Sequence, residues 1–264
     1  MSLFEIIILG IIQGLTEFLP VSSSGHLVIF QNLFRLQGPQ VFTDAMLHAG
    51  TLCSLFIFLR KDILALIQSF FRFCFNPKKH LSDPNLKVIF SLILASIPTA
   101  LMGYTFSNFF ESLFNSMKAV GGALMVTGVF LFITKISKER PKNIILHPLL
   151  IGFLQGLAIV PGFSRSGFTI GGALLLGWNR RESARFSFLL SIPAILGACL
   201  FQLQKNDWAS QPWGLLLTGI FVASVFGYFA LVFLSNLVQK GKFYVFSFYC
   251  FFAGIMALTL SFVI

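Results

Sequence analysis

The chain has 264 residues, of which 56% are hydrophobic, 16% aromatic and only 11% charged; that much apolar surface excludes a soluble domain of this size and points to an integral membrane protein. Its formal charge of +10 reads as a topology signal and an attraction to anionic lipid headgroups, with no nucleic-acid partner expected. Cys53, Cys74, Cys199 and Cys250 show no C-x-x-C spacing, which argues against both a disulfide framework and a zinc site.

The first residues, Met1-Ser2-Leu3-Phe4-Glu5, carry no basic n-region, so they are expected to belong to the mature fold rather than to a removable signal. The apolar run that follows is interrupted by Pro20 and Ser22-Ser23-Ser24-Gly25 after about 12 to 15 residues, short of the roughly 20 that a spanning helix needs. Irregular backbone at membrane depth survives only where protein or a wet cavity covers it. The segment is therefore expected to be a re-entrant helix-loop-helix hairpin. Full spans follow at about 42–59, 86–106 and 117–134. Pro161 with Ser164-Arg165-Ser166-Gly167 breaks the next apolar run in the same way and predicts a second re-entrant hairpin. Three more full spans are expected at about 186–203, 213–238 and 243–264. The fold class is an all-α polytopic membrane protein with six full transmembrane helices plus two hairpins.

Ile12-Gln13-Gly14-Leu15 recurs as Leu154-Gln155-Gly156-Leu157, and a one-residue gap then aligns Pro20 with Pro161 and Ser23 with Ser164. Basic residues collect in the loops around Arg60 to Lys87, at Lys135, Lys138, Arg140 and Lys142, at Arg180, Arg181 and Arg185, and at Lys240 and Lys242. Only Arg35, Lys118 and Lys205 fall on the other side. By the positive-inside rule the first hairpin enters from the outer face and the second from the cytoplasmic face. The two are expected to be inverted-topology repeats within a single membrane domain, about 1–138 and 143–264, with their broken tips meeting near the midplane. Ser96-Ile97-Pro98 and Ser191-Ile192-Pro193 fall out of register with that pairing and read as helix-kink devices.

The tips carry the chemistry. An arginine inside an apolar segment is a functional hypothesis by default, and the planar fork of Arg165 matches phosphate oxygens two at a time. Ser164, Ser166 and Thr169 can donate to the same anion, and Gly162 and Gly167 allow its close approach to backbone N–H groups. The structural alternative is an Arg165–Glu17 ion pair that only joins the hairpins. Gln13 and Glu17 share a helix face and suit a hard cation such as Mg²⁺ or Ca²⁺; Glu17 could instead be a general base. His26, three residues after Ser23, is placed for a hydroxyl–imidazole pair in which Ser23 or His26 attacks phosphorus. Ser22 is a further donor or a helix cap. Asp44 and His48 share an i,i+4 face, either behind the cation and His26 or as an interfacial anchor. His80 and His147 are expected in loops, with no role.

These strings, Gln-x-x-x-Glu at 13–17, Pro20-Val21-Ser22-Ser23-Ser24-Gly25-His26 and Pro161-Gly162-Phe163-Ser164-Arg165-Ser166-Gly167-Phe168-Thr169, resemble those of the bacterial undecaprenyl-diphosphatases of the BacA/UppP type, and the resemblance runs nearly end to end. It implies hydrolysis of undecaprenyl diphosphate to the monophosphate at the outer face of the cytoplasmic membrane, which recycles the lipid carrier for peptidoglycan and is connected with bacitracin resistance. By the same resemblance Ser23 is the nucleophile and His26 its partner. Glu17 with Gln13 forms the cation site, while Ser164, Arg165, Ser166 and Thr169 cradle the diphosphate. The alternative class is a polyprenyl-phosphate flippase or anion transporter, which needs the anion site but no nucleophile. A homodimer is left open.

Overall fold

A computed structural model describes residues 1–37, 40–114, 116–141, 143–205 and 211–262. Among them every regular element is helical. Six helical segments are long and apolar enough to cross a membrane: Val41–Phe58, Pro84–Thr105, Met117–Ile136, Arg180–Lys205, Trp213–Gln239 and Phe243–Leu260. The chain is a multi-pass membrane protein. Each crossing falls where the apolar runs predict it, with one extension. The fourth begins at Arg180, before the apolar stretch, because Asn179 caps it by accepting at Oδ1 from the Glu182 N–H at 2.9 Å.

In chain order the first elements are α1 (Leu3–Phe18) and α2 (Ser23–Leu33). Ser2 and Glu5 start α1 with reciprocal side-chain-to-backbone bonds, a capping box. Ile6 and Leu9 of α1 pack in one cluster with Leu27, Phe30 and Phe34, so α2 folds back along α1 as the hairpin reading requires. The second break separates α9 (Leu146–Leu157) from α10 (Arg165–Leu175). Its base is clasped by Trp178, whose indole N–H donates to His147 Nδ1 at 3.0 Å. His147, expected in a loop, lies in the first turn of α9. Lys142, counted with the basic residues of the loop before it, lies outside the described residues, as do the last two positions of the 243–264 span.

The spans between are α3 (Val41–Phe58), α6 (Pro84–Thr105), α8 (Met117–Ile133), α11 (Arg180–Lys205), α12 (Trp213–Gln239) and α13 (Phe246–Leu260). Phe90, Ile93, Ile97 and Leu101 form an exposed stripe on α6, at the spacing of one helix face turned to lipid. The opposite behaviour appears on α12, where Gly219, Ala223 and Gly227 recur every fourth residue on the buried side. A Cβ at Gly10 would lie 2.9 Å from the Gly219 carbonyl and one at Gly14 2.7 Å from that of Ala223. This small-residue seam lets α1 approach α12 closely. The matching string of α9 does the same against α6, with Gly152 seated on the Ala95 carbonyl and Gly156 on Met102. The two copies of Gly-x-x-Gln-Gly therefore pack reciprocally, each against a span from the other half of the chain.

One helix escapes sequence periodicity tuned to spans. Between α3 and α6 lie α4 (Arg60–Phe75) and the short α5 (Pro77–His80). Leu64, Ile67, Phe71 and Phe75 are exposed on α4, while Asp62 binds Arg185 of α11 at 2.6 Å and Ser69 accepts from Asn85 at the start of α6 at 3.0 Å. An amphipathic helix with basic ends and exposed aromatics suits the membrane interface rather than its core. His80 sits in α5. The seven-residue α7 (Ser107–Leu113) follows α6 and is tied to the end of α11 by Lys205 and Glu111 at 2.6 Å.

Candidate active site

The two breaks meet tip to tip. Ser22 holds a left-handed φ of 67°, a conformation that costs an L-residue on the order of 1–3 kcal/mol and persists only when its surroundings over-determine it. Here they do. Its hydroxyl accepts from the Gly25 N–H at 3.2 Å, capping α2, and from the Gly162 N–H of the other break at 3.0 Å. Gly162 has φ 101°, which a side chain would resist. Ser166 completes the join by donating to the Leu19 carbonyl at 3.0 Å. Behind the second tip Phe130, Phe168 and Phe163 stack, with centroids 4.5 and 5.1 Å apart, and fix the start of α10.

At the seam of the tips sits Glu17, its side chain almost wholly enclosed. One carboxylate oxygen, Oε1, takes Arg165 Nη2. The other, Oε2, accepts the Ser23 hydroxyl at 2.5 Å and the Gln13 amide at 2.9 Å, with His48 Nε2 3.3 Å away. His48 Nδ1 is bound to the Asp44 carbonyl at 2.6 Å; a carbonyl and a carboxylate both only accept, so in this geometry a proton sits on each ring nitrogen, Nδ1 donating to Asp44 and Nε2 facing Glu17 as a donor. The Arg165 fork also reaches the Ser191 carbonyl of α11 at 3.4 Å. A hydroxyl donating to a buried carboxylate, with a guanidinium on the same carboxylate, is an arrangement that can remove a proton from an attacking oxygen and hold an anion beside it.

The structure thus brings Gln13, Glu17, Ser23, His48 and Arg165 together. His48 is nearer than expected, touching Glu17 rather than standing behind it. Asp44 lies one turn away and accepts from Gln31 Nε2 at 2.6 Å. The expected Ser23–His26 pair is not formed: Ser23 turns to Glu17, and the His26 ring turns to the Ser22 carbonyl at 2.7 Å and the Tyr249 hydroxyl at 2.7 Å. The physical reason is the cap. His26 lies one turn past Ser22, so its ring folds back on the Ser22 carbonyl, whereas Ser23 begins α2 and faces α1. Ser164 caps α10 by accepting from the Gly167 N–H at 3.1 Å and lies 3.3 Å from the Ser166 hydroxyl. Thr169 is turned away from the tip. It donates to the Arg165 carbonyl at 2.8 Å and pairs with Ser187 at 2.6 Å, so it braces α10 against α11.

Ser187, Thr127 and Tyr249 are supports of the site that sequence reading passes over, and Ser191, read there only as part of a helix-kink string, lends its carbonyl to Arg165. Thr127 donates to the Gly162 carbonyl at 3.0 Å and accepts from the Ser164 N–H at 3.3 Å. Ser187, Thr127 and Tyr249 are polar residues in spans with no motif around them. Among the described residues four buried side-chain polar atoms have no partner, Gln13 Oε1, Asp44 Oδ2, Gln155 Oε1 and Ser247 Oγ; of these Gln13 Oε1 lies beside Glu17. Among the described residues no three His, Cys, Asp or Glu side chains converge as a metal cage.

The family model for bacitracin resistance protein BacA matches residues 6–256, which covers both tips, five spans and most of the sixth. Among curated proteins, the chain is 41% identical to an undecaprenyl-diphosphatase of Carboxydothermus hydrogenoformans, covering 99% of this chain and 98% of that protein. It is 40% identical to one of Halothermothrix orenii, with 99% of each covered, and 40% identical to one of Desulfatibacillum aliphaticivorans over the full length of both.

Proposed function

The chain belongs to the bacitracin resistance protein BacA family, and from that premise we propose that it is an undecaprenyl-diphosphate phosphatase, releasing phosphate from the lipid diphosphate to leave undecaprenyl phosphate. One observation carries the mechanism: the Ser23 hydroxyl donates to Glu17 at 2.5 Å while Arg165 holds the other oxygen of the same carboxylate. The diphosphate takes the Arg165 fork, and the guanidinium stabilises charge on the non-bridging oxygens as it spreads. Ser23 Oγ forms a bond to the terminal phosphorus and gives its proton to Glu17; the bridging P–O bond breaks, and the electron pair leaves with undecaprenyl phosphate. Water then attacks the phosphoserine phosphorus; the P–Oγ bond breaks, the proton held by Glu17 returns to Ser23 Oγ, a proton from the water replaces it on Glu17 and is later shed to solvent, and inorganic phosphate departs. Ser164 and Ser166 shape the cradle around Arg165.

A divalent cation, Mg²⁺ or Ca²⁺, fits the donors present. Gln13 Oε1 is a buried acceptor lacking a partner beside the Glu17 carboxylate, and such ions are commonly held by one or two protein oxygens together with phosphates and water. Gln13 and Glu17 would hold it, and it would supply positive charge to the diphosphate.

The distribution of basic loops supports an orientation with the first hairpin entering from the outer face, in the bacterial cytoplasmic membrane. The reciprocal glycine seams of α1 on α12 and α9 on α6 support two inverted repeats, about 1–138 and 143–264. Recycling of the lipid carrier for peptidoglycan synthesis, and with it bacitracin resistance, follows from the reaction.

The test is phosphate release from undecaprenyl diphosphate by purified protein in detergent, comparing wild type with Glu17→Ala, Ser23→Ala and Arg165→Ala. Loss of most of the rate in all three variants is expected. A wild type that binds the lipid yet releases no phosphate with any cation would leave the lipid or anion carrier as the better reading, since broken helices meeting at their tips serve carriers too.

A further inference from the structure

His26 makes two side-chain hydrogen bonds, and together they leave its ring no free nitrogen. Nδ1 faces the Ser22 carbonyl at 2.7 Å, so it carries the proton. Nε2 faces the Tyr249 hydroxyl at 2.7 Å; on the neutral ring this nitrogen accepts, and the phenol O–H donates. The two rings lie nearly parallel, at 11°. Tyr249 comes from α13, at the far end of the chain, on a face whose Phe248, Phe252 and Ile255 are exposed toward lipid. The next residue, Cys250, brings the same helix onto the first break, its thiol 3.4 Å from the Pro20 carbonyl.

We infer that Tyr249 is a positioning residue for the hydrolysis, acting through His26 and the Ser22 carbonyl on the cap that presents Ser23 to Glu17. This rests on the phosphatase reading above. The chain of bonds runs in one direction: Tyr249 O–H to His26 Nε2, His26 Nδ1–H to Ser22 O, and Ser22 into the first residue of α2, which is Ser23. The left-handed φ of Ser22 makes this link sensitive, because a strained cap relaxes when one of its supports is withdrawn. The Ser22 carbonyl, which only accepts, fixes the tautomer, and the Tyr249 hydroxyl on Nε2 holds the ring's orientation, as an orienting partner does for a histidine that must face one way. His26 is then a strut of the nucleophile's turn.

Tyr249→Phe tests this, since it keeps the ring and the lipid-facing surface and removes only the hydroxyl. The expected result is a fall in kcat for phosphate release of about 10- to 100-fold, with KM for the lipid diphosphate within about twofold and an unchanged thermal midpoint in detergent. ¹⁵N spectra of histidine-labelled protein supply the readout that a merely structural role would not move. Wild type should show His26 with a protonated Nδ1 and an Nε2 accepting a hydrogen bond, and the Nε2 resonance should shift in Tyr249→Phe. Full kcat in Tyr249→Phe, or a wild-type His26 protonated on Nε2, overturns the inference. A wild type without phosphatase activity sinks the phosphatase reading instead, and the spectrum still reports the Tyr249–His26 bond in that case.

Discussion

Glu17 and Arg165 stand 148 positions apart in the chain and form an ion pair where the two helix breaks touch. Neither could be left alone there. A carboxylate and a guanidinium taken out of water each carry a desolvation cost that only the partner offsets, so the pair both closes the tips and stores the positive charge that a diphosphate needs.

Removing one partner should therefore hurt stability as well as rate. Arg165→Ala leaves Glu17 enclosed and uncompensated, a loss of about 3–5 kcal/mol for a broken buried pair, visible as a lowered thermal midpoint in detergent. The double variant Glu17→Gln with Arg165→Met should recover much of that stability and none of the phosphate release. A double variant as unstable as Arg165→Ala would argue that the pair's geometry, not its charge balance, holds the tips.

Ser23→Ala separates chemistry from binding. Its hydroxyl makes one charge-assisted bond to Glu17, worth about 1.5–3 kcal/mol, so the fold should survive. Phosphate release should drop by roughly 10³-fold or more, the scale seen when a nucleophile is deleted, with lipid diphosphate binding retained. Residual turnover near wild type would exclude Ser23 as the attacking group.

His48 bears on Glu17 from α3 without being part of either tip. His48→Gln offers an amide N–H in place of Nε2, whereas His48→Leu offers nothing. Turnover is expected to fall about tenfold in the leucine variant and less in the glutamine variant, in line with the loss of one oriented polar group. Equal effects of both substitutions would mean that the imidazole itself, and not a donor at that place, is required.

Gln13→Glu should strengthen cation use. The change adds a charge where an unpartnered buried acceptor now sits, and ligand charge sets affinity for hard cations. The Mg²⁺ or Ca²⁺ concentration giving half-maximal phosphate release should fall about tenfold, equivalent to ~1.4 kcal/mol. An unaltered requirement would place the cation away from Gln13.

The glycine seam gives a prediction remote from the chemistry. Gly14→Leu drives a side chain into the Ala223 carbonyl and Phe226, and overpacking of this kind costs about 1–3 kcal/mol. Because α1 carries Glu17, activity should fall with stability. Gly122→Leu and Gly197→Leu are the controls, since nothing lies within 4 Å of a Cβ at either position, and both should behave as wild type.

Much of this architecture can be read from the residues, and the reasons differ from element to element. Pro20 and Pro161 cut apolar runs too short to span, so both breaks were legible, and the buried cost of Arg165 and Glu17 marked each as part of a site, their ion pair standing there only as the structural alternative. The α4 helix was not, because its apolar run between Lys61 and Arg72 is too short to cross a membrane and drops out when only spanning length is weighed. Spacing suggested Ser23 with His26; the structure instead turns Ser23 to Glu17 of α1 and His26 to the Ser22 carbonyl and Tyr249 of α13, and no local string encodes those contacts. Tyr249 and Ser187 meet their partners only through packing of helices distant in sequence, which a one-dimensional pattern does not carry.

The seat of α1 on α12 has a consequence for how the molecule is made. α1 is too short to hold itself across a bilayer, and the seam that receives it, on α12, is synthesised only after the spans α3, α6, α8 and α11. The carboxylate on α1 must wait, in a provisional location, until α12 exists. Biogenesis of the active centre is then a late, cooperative event, and a chain truncated before Trp213 should insert its middle helices yet have no place to put its beginning.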